Sequence, residues 1–260
     1  MEGNNVCLSQ GRRETEDMGM SKEVRIQDTG FKIRDTKVAF SRSTVYELLS
    51  HCYGEPGAEF LDFIKNGEFF EHMINALRFH PELKKGILQT LYTLIEETMR
   101  MEINDLLGEY SFIVSPEKNL LYEGNYHHPF NSFEEMADIA GFYRAFGFNF
   151  DSERPDHVCL ELEFMRILSL KEAMALQEGD QEKLDVTINA EMEFLSSHIG
   201  RWTEALLQMT KDIPFYNTLS RFLNEWVEME CYLYSVRIDR IFYVNRLNEN
   251  DKELVFKGGK

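Results

Sequence analysis

Proline and glycine are scarce in this sequence, with 6 prolines and 16 glycines among 260 residues. Because proline breaks an α-helix and glycine weakens it, their scarcity favours long helices. The β-branched runs that a doubly wound α/β fold would alternate with helices are also missing. We therefore predict an all-α protein, and its apolar fraction of 43% is sufficient for a buried core.

Cysteines are few as well, and no two of the four form a C-x-x-C pair. This pattern is typical of a reducing compartment, and it argues against a disulfide framework and a zinc knuckle. No apolar run approaches the ~18 residues of a membrane span. Arg12 and Arg13 are followed by acidic and polar residues, where a secretory signal would continue with an apolar stretch. We expect a cytoplasmic protein without an export signal of its own.

Basic residues are outnumbered by acidic ones, 28 to 45, which gives a net charge of −17. A surface of this sign repels nucleic acid and disfavours an anionic membrane face. A cationic partner fits it better. Acidity by itself more often serves only to keep a protein in solution, so other features must indicate the partner.

What the sequence does contain is a helical pattern of apolar residues at three- and four-residue steps. It predicts eight to ten helices with short connections. Ser43 or Thr44 is predicted to cap the first helix, and the chain from Lys84 to Leu107 is predicted to be one long, regular stretch. Breaks are predicted near Gly67 and at Pro214.

Further along, Asn131 or Ser132 is predicted to open a helix, and Asp156 to about Leu176 is predicted to form a deeply buried one. The segment from Phe148 to Pro155 interrupts the pattern, and we interpret it as a hinge between two helical halves. The predicted parts of the chain are an N-terminal extension (1–36), an N-terminal half (37–150), a C-terminal half (151–245) and a tail (246–260).

Motifs of catalysis and of phosphate binding are absent from the sequence. His127 and His128 are adjacent in a loop, and we interpret them as surface residues. His157 and Glu161 are four residues apart on a predicted helix, and a hydrogen bond between them is preferred to a metal site, which would need further ligands such as His198. We predict no metal site, no cofactor and no enzymatic activity.

One stretch goes beyond a generic helical pattern. Phe142-Tyr-Arg-Ala-Phe-Gly-Phe148 is followed by Glu153-Arg-Pro-Asp-His157 and then by Leu160-Glu-Leu-Glu-Phe-Met165, with Leu168 completing the pattern. This stretch resembles the signature of the TorD/DmsD/NarJ family of redox-enzyme maturation chaperones, which runs "Y..FG", "E.PDH" and "EL.FM..L".

Weaker agreements lie on either side of this stretch, so that the resemblance covers about residues 40 to 235. Glu109-Tyr-Ser-Phe-Ile-Val-Ser-Pro116, followed by Tyr122-Glu123, is similar to the family's "EY.rLFvgP" and "PYES". Leu121 and Gly124 stand where the family often has Pro and Ser. His198-Ile-Gly-Arg-Trp202, followed by Pro214-Phe-Tyr216, is similar to its "H...W…FY" pair of helices.

The resemblance implies a single all-helical domain that acts as a cytoplasmic chaperone. Such a chaperone binds the apo form of a molybdenum-containing oxidoreductase, commonly through its twin-arginine signal peptide, and holds it back from export while the cofactor is inserted. The peptide-binding residues that the resemblance implies are Glu153, Pro155, Asp156, His157, Tyr122 and Glu123.

A twin-arginine signal peptide would fit an acidic site, because the guanidinium groups of its arginines pair well with carboxylates of the protein. Residues 151–197 contain 12 acidic and 4 basic residues, a local charge of −8. Met and Phe side chains nearby can adapt to variable apolar helices. The competing interpretation is that Pro155 and Asp156 only make a good helix start.

Two other classes of function stay open. The first is an acidic helical adaptor that binds a folded partner and has no preference for signal peptides. The second is a metal- or nucleotide-dependent enzyme that uses His157 and Glu161. No nucleic-acid partner and no membrane insertion are expected, and the protein could be a monomer or a domain-swapped dimer.

Overall fold

A computed structural model describes residues 35–127, 132–151 and 154–241. In these ranges the chain forms ten α-helices and one 3₁₀ turn, and its only β-type pairing is a single bridge. The predicted all-α class and number of helices are confirmed. The helices are α1 (Thr36–Tyr53), α2 (Ala58–Lys65), α3 (Glu68–Leu77), α4 (Lys85–Arg100), α5 (Ile103–Ile113), α6 (Ser132–Ala145), α7 (Val158–Glu178), α8 (Gln181–Ser197), α9 (Ile199–Met209) and α10 (Pro214–Leu233), and the 3₁₀ turn is Glu123–Asn125.

All described residues belong to one compact unit, as a single helical domain requires. The division into halves at 37–150 and 151–245, joined by a hinge, stays a prediction. Most of the predicted extension (1–36) and all of the predicted tail (246–260) lie outside the described residues. None of the described helices is both long and apolar enough to cross a bilayer.

Helix α1 begins earlier than the sequence predicted. Asp35 is its N-cap, and the Asp35 side chain accepts a hydrogen bond of 2.7 Å from Lys37 N. Ser43 and Thr44 lie inside the helix, where both hydroxyls donate to Phe40 O. The predicted cap at Ser43 or Thr44 was wrong, because a hydroxyl inside a helix can bond back to a carbonyl of the preceding turn.

The long stretch from Lys84 to Leu107 is divided between α4 and α5. Asp105 accepts a hydrogen bond of 3.2 Å from Glu102 N, which marks the start of α5. The apolar period continues across the break, and this is why the sequence predicted one stretch. The predicted breaks are confirmed, because Gly67 has a φ of 88° between α2 and α3 and Pro214 is the first residue of α10.

Helix α7 lies at the centre of the packing. Helices α1 and α8 pack along it, while α10 packs against α9 and α4. The core that results contains both tryptophans, Trp202 and Trp226, each fully buried.

A buried ionic cluster joins four of these helices. Arg42 of α1 pairs with Glu172 of α7, Glu191 of α8 and Glu230 of α10, and all four side chains are at most 1% exposed. Arg42 Nη2 lies 2.7 Å from Glu230 Oε2 and 3.2 Å from Glu191 Oε1. His80 Nε2 adds a contact of 3.1 Å to Glu230 Oε1.

Three carboxylates face one guanidinium in this cluster, and their pKa values differ from one another. Burial, together with the neighbouring Glu191, raises the pKa of Glu172 to about 8. Burial also acts to raise the pKa of Glu230, but Arg42 and His80 outweigh it and hold that pKa at about 2. At neutral pH, Glu172 therefore carries a proton, and Glu230 is the ionised partner of Arg42.

Candidate functional site

Two segments that are far apart in sequence lie side by side at the start of α7. Tyr122 and His157 form a single antiparallel bridge. Glu123 N donates a hydrogen bond of 2.9 Å to Asp156 O. The structure thus brings Tyr122 and Glu123 together with Asp156 and His157, although more than thirty residues separate them in the chain.

The Asp156 carboxylate faces inward and is 1% exposed. Its Oδ1 accepts a hydrogen bond of 2.9 Å from Arg154 Nε, and its Oδ2 accepts bonds of 2.9 Å from Gly124 N and 2.5 Å from Arg154 Nη2. Pro155 is buried beside it, and Pro155 O accepts a hydrogen bond of 3.0 Å from Tyr143 OH. Asp156 therefore links the 3₁₀ turn to the start of α7. The arginine that pairs with the Asp156 carboxylate is Arg154 of this protein itself.

Tyr122 and His157 are half-buried and form the outer part of this site. Their rings meet edge to face, with centroids 4.8 Å apart, and the Arg154 guanidinium lies 4.2 Å from the centre of the Tyr122 ring. His157 is the N-cap of α7, because its Nδ1 accepts a hydrogen bond of 3.2 Å from Cys159 N. Burial lowers the pKa of His157 to about 4, so the ring is neutral at physiological pH.

Glu161, which was expected to pair with His157, instead accepts a hydrogen bond of 3.1 Å from Trp202 Nε1. The pairing differs because both Glu161 and Trp202 are fully buried and satisfy each other in the core. Glu153 and His128 lie outside the described residues.

The Glu123 side chain enters a buried polar cluster. Its Oε1 lies 2.8 Å from His127 Nε2, and its Oε2 lies 3.4 Å from His198 Nδ1. His198 Nε2 lies 3.2 Å from Asp138 Oδ2, and His127 Nδ1 lies 3.5 Å from Glu135 Oε1. His127 is only 4% exposed, so its interpretation as a surface residue was wrong. The 3₁₀ turn directs the ring inward, where two carboxylates compensate its polar atoms.

Proton affinities in this cluster follow from its contacts. Burial acts to raise the pKa of Glu123, but the hydrogen bond with His127 and the charge interactions with His127 and His198 outweigh it and lower that pKa. The pKa of His198 is raised, because Glu123 and Asp138 outweigh the effect of burial. Burial and the nearby Glu123 raise the pKa of Glu161. The surroundings of Glu123 thus favour its charged form, and those of Glu161 favour its neutral form.

A groove runs between α6 and α8, and α7 lines one part of it. It consists of two cavities of about 360 and 430 Å³ that share Ala145, Phe146 and Val186. Both volumes are typical of ligand clefts. Met174 and Val186 at its edge are 54% and 56% exposed, so the groove presents apolar surface to solvent. Another cavity, of about 320 Å³ between α1 and α3, is lined mainly by polar residues.

Charges are unevenly distributed along this groove. Asp138 and Glu193, both exposed carboxylates, line one of the two cavities, whereas Lys171, Lys183 and one carboxylate, Glu178, line the other. Asp138 also contacts His198, so the acidic part of the groove borders the buried cluster. One part of the groove therefore suits positive charge, and its middle suits apolar side chains.

Sequence reasoning missed this groove. Phe142 and Phe146 were considered as part of the motif, and Val186 and Ala190 were not singled out. The available signal was the four-residue step within each pair, which places each pair on one side of its helix. Only the packing of α6 beside α8 reveals that the two stripes face a common groove.

The helical fold and the pairing of the Tyr-Glu segment with the Pro-Asp-His segment fit the family that the motifs resembled. The sequence model of a family described as "Nitrate reductase delta subunit" matches residues 80–208. A perchlorate reductase assembly chaperone protein from Dechloromonas aromatica (strain RCB) is 29% identical over 174 residues, which are 63% of this chain and 75% of that protein. Both comparisons support the NarJ/TorD-type family of molybdoenzyme assembly chaperones, the family that the sequence motifs resembled.

Proposed function

We propose that this protein binds the precursor of a molybdenum-cofactor oxidoreductase in the cytoplasm, through its twin-arginine signal peptide, and holds the apo form while the cofactor is inserted. The observation that carries this proposal is the groove between α6 and α8, which combines exposed apolar side chains with carboxylates. A twin-arginine signal peptide has matching parts, a cationic segment followed by an apolar one.

In this arrangement the peptide's arginines face Asp138 and Glu193, and its apolar segment lies over Phe142, Phe146 and Val186. Arginine pairs with carboxylates through several donors at once, so two carboxylates near one end give direction to the bound peptide. The net charge of −17 adds long-range attraction for a cationic segment.

The residues of the paired Tyr-Glu and Pro-Asp-His segments hold the elements beside the groove in place. They also supply a second surface that could contact the peptide. Asp156 and Pro155 fix the 3₁₀ turn, and Glu123 of that turn contacts His198, which in turn contacts Asp138. Tyr122 and His157 are half-buried beside this support, so part of each side chain reaches the surface. We assign Asp156, Pro155 and Glu123 to positioning, and Tyr122 and His157 to contact with the peptide or with the client.

We further propose that the protein acts by binding and not by catalysis. Asp156 is engaged by Arg154, and His157 is engaged by the backbone of α7, so neither offers a free nucleophile or base to a substrate.

The proposal is tested by measuring the affinity of the full chain for a peptide with two arginines followed by an apolar stretch. Glu193→Gln removes an exposed carboxylate of the groove and is expected to weaken binding about 2- to 5-fold, the range of a single exposed ion pair. Tyr122→Ala together with His157→Asn tests the second surface, since Asn preserves an N-cap on α7. Glu182→Gln, an exposed change at the start of α8, is the matched control.

Each outcome separates the alternatives. Weakening by Glu193→Gln places the arginines at the groove, whereas weakening only by the Tyr122 and His157 changes places the peptide at the paired segments. Equal affinity for a peptide whose arginines are replaced by glutamine would contradict signal-peptide recognition and favour the adaptor function.

A further inference from the structure

Three side chains from separate parts of the chain converge beneath the paired segments. Glu123 belongs to the 3₁₀ turn, Glu135 to the first turn of α6, and His198 to the junction of α8 and α9. One ligand atom of each lies within 4.8 Å of those of the other two. Imidazole nitrogen and carboxylate oxygen together are a donor set that divalent transition metals accept.

Two atoms of this group are buried without a hydrogen-bond partner, namely Glu123 Oε2 and His198 Nδ1. Both side chains are 0% exposed, and the two atoms lie 3.4 Å apart. Zinc bonds of about 2.0–2.2 Å at the tetrahedral angle place neighbouring nitrogen and oxygen ligands about 3.3–3.5 Å apart. The separation thus equals the edge of a zinc tetrahedron.

The surroundings of these atoms are those of a metal site. A histidine that binds a metal usually donates its other ring N–H to a carboxylate, and His198 Nε2 lies 3.2 Å from Asp138 Oδ2. A proton on Nε2 leaves the Nδ1 lone pair directed at Glu123. The other oxygen of Glu123 is held by His127 Nε2 at 2.8 Å, which orients the carboxylate.

Glu135 is 20% exposed and gives the group its access to solvent. Its Oε1 also lies 3.2 Å from Arg201 Nη1 and 3.5 Å from His127 Nδ1. Because a carboxylate has two oxygens, this ion pair and a metal bond can coexist.

We propose that Glu123, Glu135 and His198 bind one divalent transition-metal ion, for which zinc has the best-matching geometry, with water completing the coordination. The ion joins the 3₁₀ turn, α6 and the α8–α9 junction, and so fixes the elements around the groove. None of its three ligands is assigned to peptide contact, so metal binding can be measured without the peptide, and its failure would not count against signal-peptide recognition.

The test uses full-length protein without a histidine tag, stripped with a chelator and titrated with Co²⁺ as a spectroscopic probe and with Zn²⁺ as its competitor. We expect one ion per chain, d–d absorption of a low-coordinate site, and displacement of cobalt by zinc. Absorption from cobalt–thiolate bonds would contradict the site, because none of its ligands is a cysteine.

Variants separate ligation from folding. Glu135→Gln and Asp138→Asn change side chains that are 20% and 62% exposed, so both proteins are expected to fold. Loss of the outer carboxylate in Asp138→Asn is expected to weaken zinc binding about 10-fold or more. Glu135→Gln and His198→Gln are expected to weaken it further. His51→Gln, an exposed histidine on α1, is the matched control. Affinities that stay unchanged in Glu135→Gln and His198→Gln would overturn the proposal, as would the absence of bound metal in the unaltered chain.

Discussion

Gly124 and Asp156 are in such close contact that the sequence at position 124 is restricted. A Cβ atom on residue 124 would lie 2.8 Å from Asp156 Oδ2 and 3.3 Å from Arg154 Nη2. Glycine, which stands here in place of the Ser that the family often has, therefore lets the backbone of the turn pack directly on the Asp156 carboxylate. The contact between Gly124 and Asp156 joins residues far apart in the chain. The sequence alone therefore could not explain why glycine occupies position 124.

We predict that Gly124→Ala destabilises the protein by about 1–3 kcal/mol, because the added methyl group forces Asp156 out of its hydrogen bonds. Gly108→Ala is the matched control. Gly108 is exposed in the middle of α5 and has open space at its Cβ, so this change is expected to stabilise by about 0.5–1 kcal/mol. Urea denaturation of both variants measures the difference, and equal effects would refute the close contact.

At the scale of helices, composition and periodicity predicted most of the fold. These predictions failed where more than one residue of a type that caps helices lies near a helix start. At α1, Ser43 and Thr44 are residue types that favour the N-cap position, but Asp35 is the N-cap. The break before Ile103 was missed because apolar spacing dominates the pattern, although Glu102 and Asp105 have capping-box spacing. Three of the six predicted site residues, Pro155, Asp156 and Glu123, are buried, which the sequence did not indicate.

The ionic cluster between α1, α7, α8 and α10 was beyond prediction, because Arg42 and Glu230 are 188 residues apart in the chain. It should make stability depend on pH. Burial raises the pKa of Glu172 from 4.5 to about 8 on folding, so its contribution is fully present below pH 4.5 and is lost as the pH rises through 8. The free energy of unfolding is expected to fall between about pH 5 and 8.

Glu172→Gln preserves the neutral form and should remove up to about 1.4 kcal/mol per pH unit from this slope, the value for one proton. Glu178→Gln, on the same helix and 52% exposed, should leave the slope unchanged. Chemical denaturation of both variants at a series of pH values provides the measurement. A slope that is unaltered in Glu172→Gln would mean that Glu172 is ionised in the native cluster.

At the scale of the whole molecule, the fold places an apolar groove with carboxylates on a protein of net charge −17. The motif between residues 142 and 168 resembled the family's signature, but it did not indicate the groove. A surface formed by two helices depends on how they pack, and packing is not contained in the periodicity of either one. The groove and the paired segments at Tyr122 and His157 are therefore separate candidates for contact with the precursor.

Hydrogen exchange of the full chain, with and without a saturating twin-arginine peptide, distinguishes these surfaces most directly. Our account predicts slower amide exchange in α6 (Ser132–Ala145) and α8 (Gln181–Ser197), and no such change with a peptide that lacks the two arginines. Slower amide exchange that is confined to other surfaces, such as the polar cavity between α1 and α3, would contradict peptide binding at the groove.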